Sequence, residues 1–280
     1  MIVQDIINQL EDLAPLAYAE EFDNVGLLVG DNQAEVTGIL VTLDTLPEVV
    51  DEAIAENCNL IVSFHPIIFK GLKSITGNSY VERVVQKAIK NDIAIFALHT
   101  ALDNAFEGIN AEFCNRLGLK NKSILIPQSG TIKKLTTFVP KHHAETVRKA
   151  LFDAGGGALG KYENCSFNSD GLGTFQGNDE ANPTVGKPNE FQSVEETRID
   201  IVYAKHLESK ILNALFQAHP YEEVAHELST LDNKNQHIGM GMMGELENPM
   251  SEDKFLDFVK KTMKCEVIRH SKRLHKPIQK

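Results

Sequence analysis

Two histidine-containing strings, residues 63–71 and 98–104, carry the side chains best suited to chemistry in this chain. Each follows a short apolar run, such as residues 60–62 before the first string. Apolar runs of this length between helical patterns predict strands of a buried parallel sheet. Polar groups just past the carboxyl ends of such strands line the sites of open α/β sheets. We therefore expect His65 and Asp103 to point into one cleft, with Asp44 nearby, where imidazole and carboxylate form a ligand set for a divalent metal.

Each of these residues also has a purely structural interpretation. A single histidine at the end of a strand is often only hydrogen-bonded. Asp103 could cap the helix that follows it. His99 could either orient a metal ligand or be a satisfied core histidine. The string 219–223, His-Pro-Tyr-Glu-Glu, contains a histidine and two carboxylates, but a turn between a helix and a strand explains it more simply.

Helix and strand patterns alternate over residues 1–129, the predicted first domain. Helices are expected at 2–13, 47–57, 79–91 and 108–117, strands at 38–43, 60–63 and 93–98, and a loop at 19–30. This alternation of helices and strands is typical of βαβ units with right-handed crossovers. The fold class of this lobe is therefore α/β.

The pattern changes near residue 130. Strands at 134–139, 198–203 and 224–228 and helices at 143–154 and 207–218 predict a ferredoxin-like α+β domain over 130–235, inserted into the first. Residues 236–280 then hold a helix at 252–263 and a short strand at 265–269. Because two elements cannot bury their own apolar faces, this piece either packs on the first domain or begins a second α/β lobe that is incomplete here.

Composition excludes several classes of protein. A net charge of −11 argues against a general nucleic-acid binder, although the basic residues of 269–280 could be a solvated tail or a nucleic-acid arm. No apolar run has the length of a membrane span, and the N-terminus lacks a signal-peptide pattern. The four cysteines form no C-x-x-C pair, so a zinc knuckle is not expected. A cytoplasmic location with reduced thiols follows as the default.

Several long strings resemble the family of GTP cyclohydrolase 1 type 2 homologs, also called Nif-three-like proteins. In the first domain they are residues 22–30, 42–44, 64–73 and 99–104 with Gly108 and Asn110. In the inserted domain they are residues 162–167, 171–175 and 219–224, which resemble the CutA/PII-like insert of longer members. The resemblance implies a Nif-three-like α/β fold, a metal centre that includes His65 and Asp103, and a ring-shaped homohexamer.

Two departures from the family pattern bear on that metal centre. The family has two adjacent histidines before the proline, whereas this chain has Phe64 and then His65. The family also draws a histidine and a glutamate from a C-terminal segment that is not among these 280 residues. Either the sequence is part of a longer protein, which we favour, or the protein has lost the site.

The function implied is that of a metal-dependent hydrolase acting on a nucleotide or related small molecule, with zinc, iron, manganese or a similar divalent cation as cofactor. The alternative is a non-catalytic metal-binding scaffold for regulation or assembly. Two protein ligands completed by solvent should hold the cation weakly.

Overall fold

Two units are distinguished in the computed structural model, which describes residues 1–280: residues 1–127 with 236–280, and residues 128–235. In chain order the elements are α1 (Val3–Leu13), β1 (Gly26–Val29), β2 (Ile39–Thr42), α2 (Pro47–Ala55), β3 (Leu60–Ser63), α3 (Tyr80–Lys90), β4 (Ala94–Ala97), α4 (His99–Asn104), α5 (Ile109–Arg116), β5 (Lys120–Gln128), β6 (Ile132–Pro140), α6 (Ala144–Asp153), β7 (Phe167–Gln176), β8 (Phe191–Ala204), α7 (Glu208–Ala218), β9 (His226–Leu231), β10 (Asn235–Glu245) and α8 (Glu252–Met263). None of the eight helices combines the length and the apolar character needed to cross a bilayer.

The first unit is built on a four-stranded sheet of order β1-β4-β3-β2. Strands β2, β3 and β4 run parallel, with Leu60 of β3 beside Ala94 of β4. Both faces of the sheet are covered, since Leu60 packs in a cluster with α1 whereas Ile61 packs in a cluster with α2 and α3. Burial on both faces explains why β3 and β4 are continuous apolar runs rather than alternating ones.

The second unit is an antiparallel sheet of order β7-β8-β6-β9 with two helices on one face. Its chain order, β6-α6-β7-β8-α7-β9, is the ferredoxin-like βαββαβ arrangement. The core lies between sheet and helices, where Leu135, Ile199 and Tyr203 meet Leu151 of α6 and Leu215 of α7. The expected fold class, an α/β lobe with an inserted ferredoxin-like α+β domain, is confirmed.

Two expectations about individual elements are wrong. The predicted loop 19–30 contains β1, which runs antiparallel to β4, so the sheet is mixed and not purely parallel. Strand β1 is only four residues long and begins at a glycine with φ of +100°, features that favour a loop in a sequence pattern. The predicted strand at 265–269 is absent, and Val267 is 81% exposed, because no neighbouring strand pairs with this segment.

Candidate metal centre

The carboxyl edge of the parallel sheet carries three polar side chains at equivalent positions. Asp44, His65 and His99 each lie two residues beyond the end of a strand, β2, β3 and β4 respectively. Parallel strands end at one edge of a sheet, so equal spacing brings the three residues together. Backbone hydrogen bonds continue the pairing beyond the strands, from the His65 amide to the Leu43 carbonyl and from the His99 amide to the Phe64 carbonyl, both at 2.9 Å.

His65 is paired with Asp44 at the open side of the site. Its Nδ1 lies 2.7 Å from Oδ1 of Asp44, and the two side chains are 45% and 52% exposed. A carboxylate can only accept, so Nδ1 carries the proton and Nε2 of the neutral ring has its lone pair available. Orientation of a ring by a carboxylate on one nitrogen is typical of histidines that bind a metal through the other nitrogen.

His99 is paired with a second carboxylate, Asp23, at the closed side of the site. Nδ1 of His99 lies 2.8 and 2.9 Å from the two carboxylate oxygens of Asp23, whose side chain is fully buried. Asp23 also accepts hydrogen bonds from the amide and hydroxyl of Thr100 and from the amide of Asn24. Burial raises the pKa of Asp23, but the hydrogen bonds from Thr100, His99 and Asn24 outweigh that effect and the net pKa is lowered.

The backbone of His99 is strained. Its φ of +33° is unusual for a residue with a side chain. Such a conformation costs about 1–3 kcal/mol and persists only where surrounding contacts hold it. Here the amide is fixed on Phe64 and the ring on Asp23, which together keep the imidazole at the strand edge.

Asp103 lies one helical turn after His99 on α4. The carbonyl of Asp103 accepts a hydrogen bond of 2.9 Å from the side chain of Asn110, which ties α4 to α5. Gly108 permits this tight connection, because a Cβ there would lie 1.9 Å from the carbonyl oxygen of Leu102. Burial raises the pKa of the Asp103 carboxyl; His99 and His65 oppose the shift and Asp23 adds to it, so all three lie within electrostatic range.

Aromatic rings surround the two imidazoles. The ring centres of His65 and His99 are 5.6 Å apart, and the ring of Phe64 lies 5.1 Å from the first and 5.5 Å from the second. Phe69 approaches His99 at 6.3 Å. Phe64 therefore occupies space beside both imidazoles without offering a lone pair.

The donor types fit a divalent cation, but their number is small. No group of three or more His, Cys, Asp or Glu side chains is arranged to hold one ion. The sequence 219–223 does not supply a second centre, because both ring nitrogens of His219 are engaged, by the carbonyl of Phe138 and the amide of Tyr221.

Sequence reasoning missed the part played by Asp23 and Thr100. Asp23 precedes β1, and only the antiparallel pairing of Gly26 with Ala97 brings it to the carboxyl end of β4. A carboxylate two residues before a short apolar run that ends in glycine was the available signal, but it indicates a turn as readily as a site.

Comparison with known proteins gives the class. A model of the family Duf34/NIF3 (NGG1p interacting factor 3) matches residues 1–280, and this chain belongs to that family. A Bacillus subtilis protein described as GTP cyclohydrolase 1 type 2 homolog is 39% identical over 267 residues, which cover 95% of this chain and 72% of that protein.

Solved structures agree with this assignment. A Bacillus cereus protein related to NIF3 aligns with a TM-score of 0.83 at 38% identity, over 100% of this chain and 75% of its own. A Staphylococcus aureus protein aligns with a TM-score of 0.71 at 32% identity, over 100% of this chain and 73% of its own.

Proposed function

We propose that the chain binds a divalent cation through His65 and Asp103 and that the cation serves hydrolysis of a nucleotide or a related small molecule. The observation that carries the proposal is the pair of carboxylate-oriented imidazoles at the edge of the sheet, His65 on Asp44 and His99 on Asp23. In His65 the Nδ1 atom is occupied by Asp44, which leaves Nε2 as the coordinating atom of that ring.

A zinc, iron, manganese or similar ion would lower the pKa of water and polarise an electrophilic centre of the substrate. The residues of the chain have separate roles around it. Asp44 fixes the tautomer of His65, and Asp23 does the same for His99. Asp103 supplies an anionic ligand whose raised pKa makes proton and cation compete for the same oxygen. Relatives that bear the name GTP cyclohydrolase 1 type 2 homolog support a nucleotide as the substrate class.

The test is metal binding and hydrolysis measured on the same samples. Protein stripped with a chelator is titrated with Zn²⁺, Fe²⁺ or Mn²⁺ by calorimetry, and release of products from GTP and other nucleotides is followed with and without metal. We expect weak binding, metal-dependent turnover, and a loss of affinity of at least about tenfold in His65→Ala. The matched control is His142→Ala, an exposed histidine of the second unit. Unchanged binding in His65→Ala, or two tightly held ions per chain, would contradict the proposal.

A second candidate is a non-catalytic metal-binding scaffold for regulation or assembly. It is favoured by the absence of a group of three ligands, because few protein ligands leave a cation poorly fixed for catalysis. Metal binding without turnover of any nucleotide, together with a metal-dependent change in mass by light scattering, would favour this candidate over the hydrolase.

We also propose that the chain forms homo-oligomers, with a hexamer as the expected state. Exposed apolar side chains at the edge strand β2 and just after it support self-association, since Val41 is 79% and Leu43 59% exposed. Multi-angle light scattering measures the mass directly, and a monomer at micromolar concentration would refute this part. A cytoplasmic location is supported by four cysteines that are all unpaired.

A further inference from the structure

The second unit contains a cavity of about 500 Å³ whose lining shares no residue with the candidate metal centre. Its size is in the range of small-molecule sites. It joins two of the strings noted in the sequence, residues 171–175 and 219–224, with the loop that follows β7. The lining includes Phe138, Leu172, Gly173, Phe175, Glu196 and Tyr221.

The walls of the cavity are tied together by hydrogen bonds. The amide of Asn182 donates to Oε1 of Glu222 at 2.8 Å, and the hydroxyl of Thr184 donates to the carbonyl of Pro220 at 2.8 Å. Both bonds connect the β7–β8 loop to the segment between α7 and β9. The cavity is therefore formed by the folded chain itself and does not depend on a ligand to bring its walls together.

Apolar and aromatic groups supply most of the lining. Phe175 and Tyr221 have ring centres 6.0 Å apart, and Phe138 and Leu172 add further apolar surface. Flat aromatic walls suit a ligand with a flat, apolar body.

One of the carboxylates that line the cavity is held by a hydrogen bond from an aromatic side chain. Glu196 receives a hydrogen bond from the Tyr221 hydroxyl at 2.9 Å on Oε1. Burial and the nearby Glu196 raise the pKa of Tyr221, so the phenol remains a donor. The other oxygen, Oε2, lies over Gly173, where a Cβ would come within 2.0 Å of it. The Glu196 carboxylate can occupy this position because residue 173 is glycine and has no Cβ.

Neighbouring groups hold that arrangement. The buried His219 accepts a hydrogen bond from the amide of Tyr221 through Nδ1 and donates through Nε2 to the carbonyl of Phe138. These two bonds fix the turn from which the Tyr221 side chain reaches Glu196. The string His219-Pro220-Tyr221 is explained by this positioning role.

The acidic side chains of the lining favour a cationic ligand over an anionic one. Glu196, Glu222 and Glu223 line the cavity, and no lysine or arginine does. An anion such as a nucleoside triphosphate would meet three carboxylates without a compensating cation. A planar cation would instead donate to Glu196 and stack on the aromatic walls.

We infer that this cavity is a binding site for a small organic cation with a flat apolar body, in which Glu196 receives the cationic group and Phe175 and Tyr221 contact the body. The inference is independent of the proposed metal-dependent function, because no residue is shared between the two sites.

The test uses three probes of nearly equal shape and different charge: benzamidine, which is a cation, benzamide, which is neutral, and benzoate, which is an anion. Binding to the full chain is measured by calorimetry or by ligand-observed NMR. We expect benzamidine to bind at least about tenfold more tightly than benzamide, as a charge-assisted hydrogen bond requires, and benzoate not to bind. Equal binding of benzamidine and benzamide would overturn the inference without any variant.

Glu196→Gln keeps the shape of the side chain and removes its charge. We expect it to abolish the preference for benzamidine over benzamide. The matched control is Glu195→Gln, which removes the same charge from the adjacent position of β8, outside the lining. It should change affinity less than about twofold. An equal loss in both variants would show general attraction by an acidic surface, and displacement of benzamidine by millimolar Mg²⁺ would show a metal site; either result overturns the inference.

Discussion

The two imidazole–carboxylate pairs of the first unit have the same chemistry and different surroundings. The His65–Asp44 pair is about half exposed, whereas the carboxylate of the His99–Asp23 pair is fully buried and accepts three further hydrogen bonds. An exposed pair is screened by water and contributes little to stability. A buried carboxylate depends on all its donors, since the loss of one donor leaves part of the buried charge without a partner. The comparison indicates that Asp23 fixes the site whereas His65 remains accessible to a ligand.

The strongest test of this comparison is a matched pair of variants. Asp23→Asn places an amide against the Thr100 amide and the His99 ring, and we expect it to lower the free energy of unfolding by about 3 kcal/mol. Asp44→Asn should cost less than about 1 kcal/mol, because that pair is exposed. Urea unfolding of both variants measures the difference. Equal losses would mean that burial does not distinguish the two pairs.

A second prediction concerns Phe64, which lies between the two pairs. Phe64→His adds an imidazole at 5–6 Å from both existing rings and gives the centre a second nitrogen ligand besides that of His65. We expect the affinity for Zn²⁺ to rise about tenfold, which corresponds to about 1.4 kcal/mol. The control is Phe69→His, because the ring of Phe69 lies farther from His99, at 6.3 Å. A similar gain in both variants would indicate adventitious binding to added histidine.

His219 of the second unit sharpens the comparison, because it is a buried histidine held by backbone groups and not by a carboxylate. Burial lowers the pKa of His219 below its ordinary value. The unfolded chain therefore binds the proton more readily, so stability is complete above about pH 6.5 and falls as the pH drops from there toward the lowered pKa.

Hydrogen exchange of the β6 and β8 amides at several pH values measures this effect. His219→Gln should be less stable at neutral pH but should lose the pH dependence. His142→Gln, at an exposed position, should keep it. A pH dependence that persists in His219→Gln would assign it to another group.

The smallest expected effect is a difference in pKa between two carboxyls of the site, Asp23 and Asp103. The pKa of Asp23 is lowered and that of Asp103 is raised. Asp23 contributes stability above about pH 3.9, and this stability is lost as the pH falls through its lowered pKa. Asp103 behaves in the opposite way. Its raised pKa means that it takes up a proton in the folded chain before it does so in the unfolded chain, so acidification toward about pH 3.9 favours folding at this residue. Carbon NMR of the carboxyl groups should show Asp103 protonating first on acidification. The reverse order would contradict the assigned burial and hydrogen bonding.

The local sequence determined much of this protein. Continuous apolar runs predicted β3 and β4 as strands buried on both faces, and the polar residues after them predicted where a site would lie. The βαβ and βαββαβ orders indicated both folds, because short-range periodicity reports which faces are buried. The family strings added His65 and Asp103 as expected ligands.

Tertiary structure alone decided which carboxylate serves which histidine. Asp23 and His99 are 76 residues apart, and they meet because β1 runs antiparallel to β4, a direction that no local pattern encodes. The cavity of the second unit has the same origin, since Tyr221 reaches Glu196 across 25 residues of chain. Periodicity specifies the burial of a strand but not its partner, so contacts between distant segments were settled by packing.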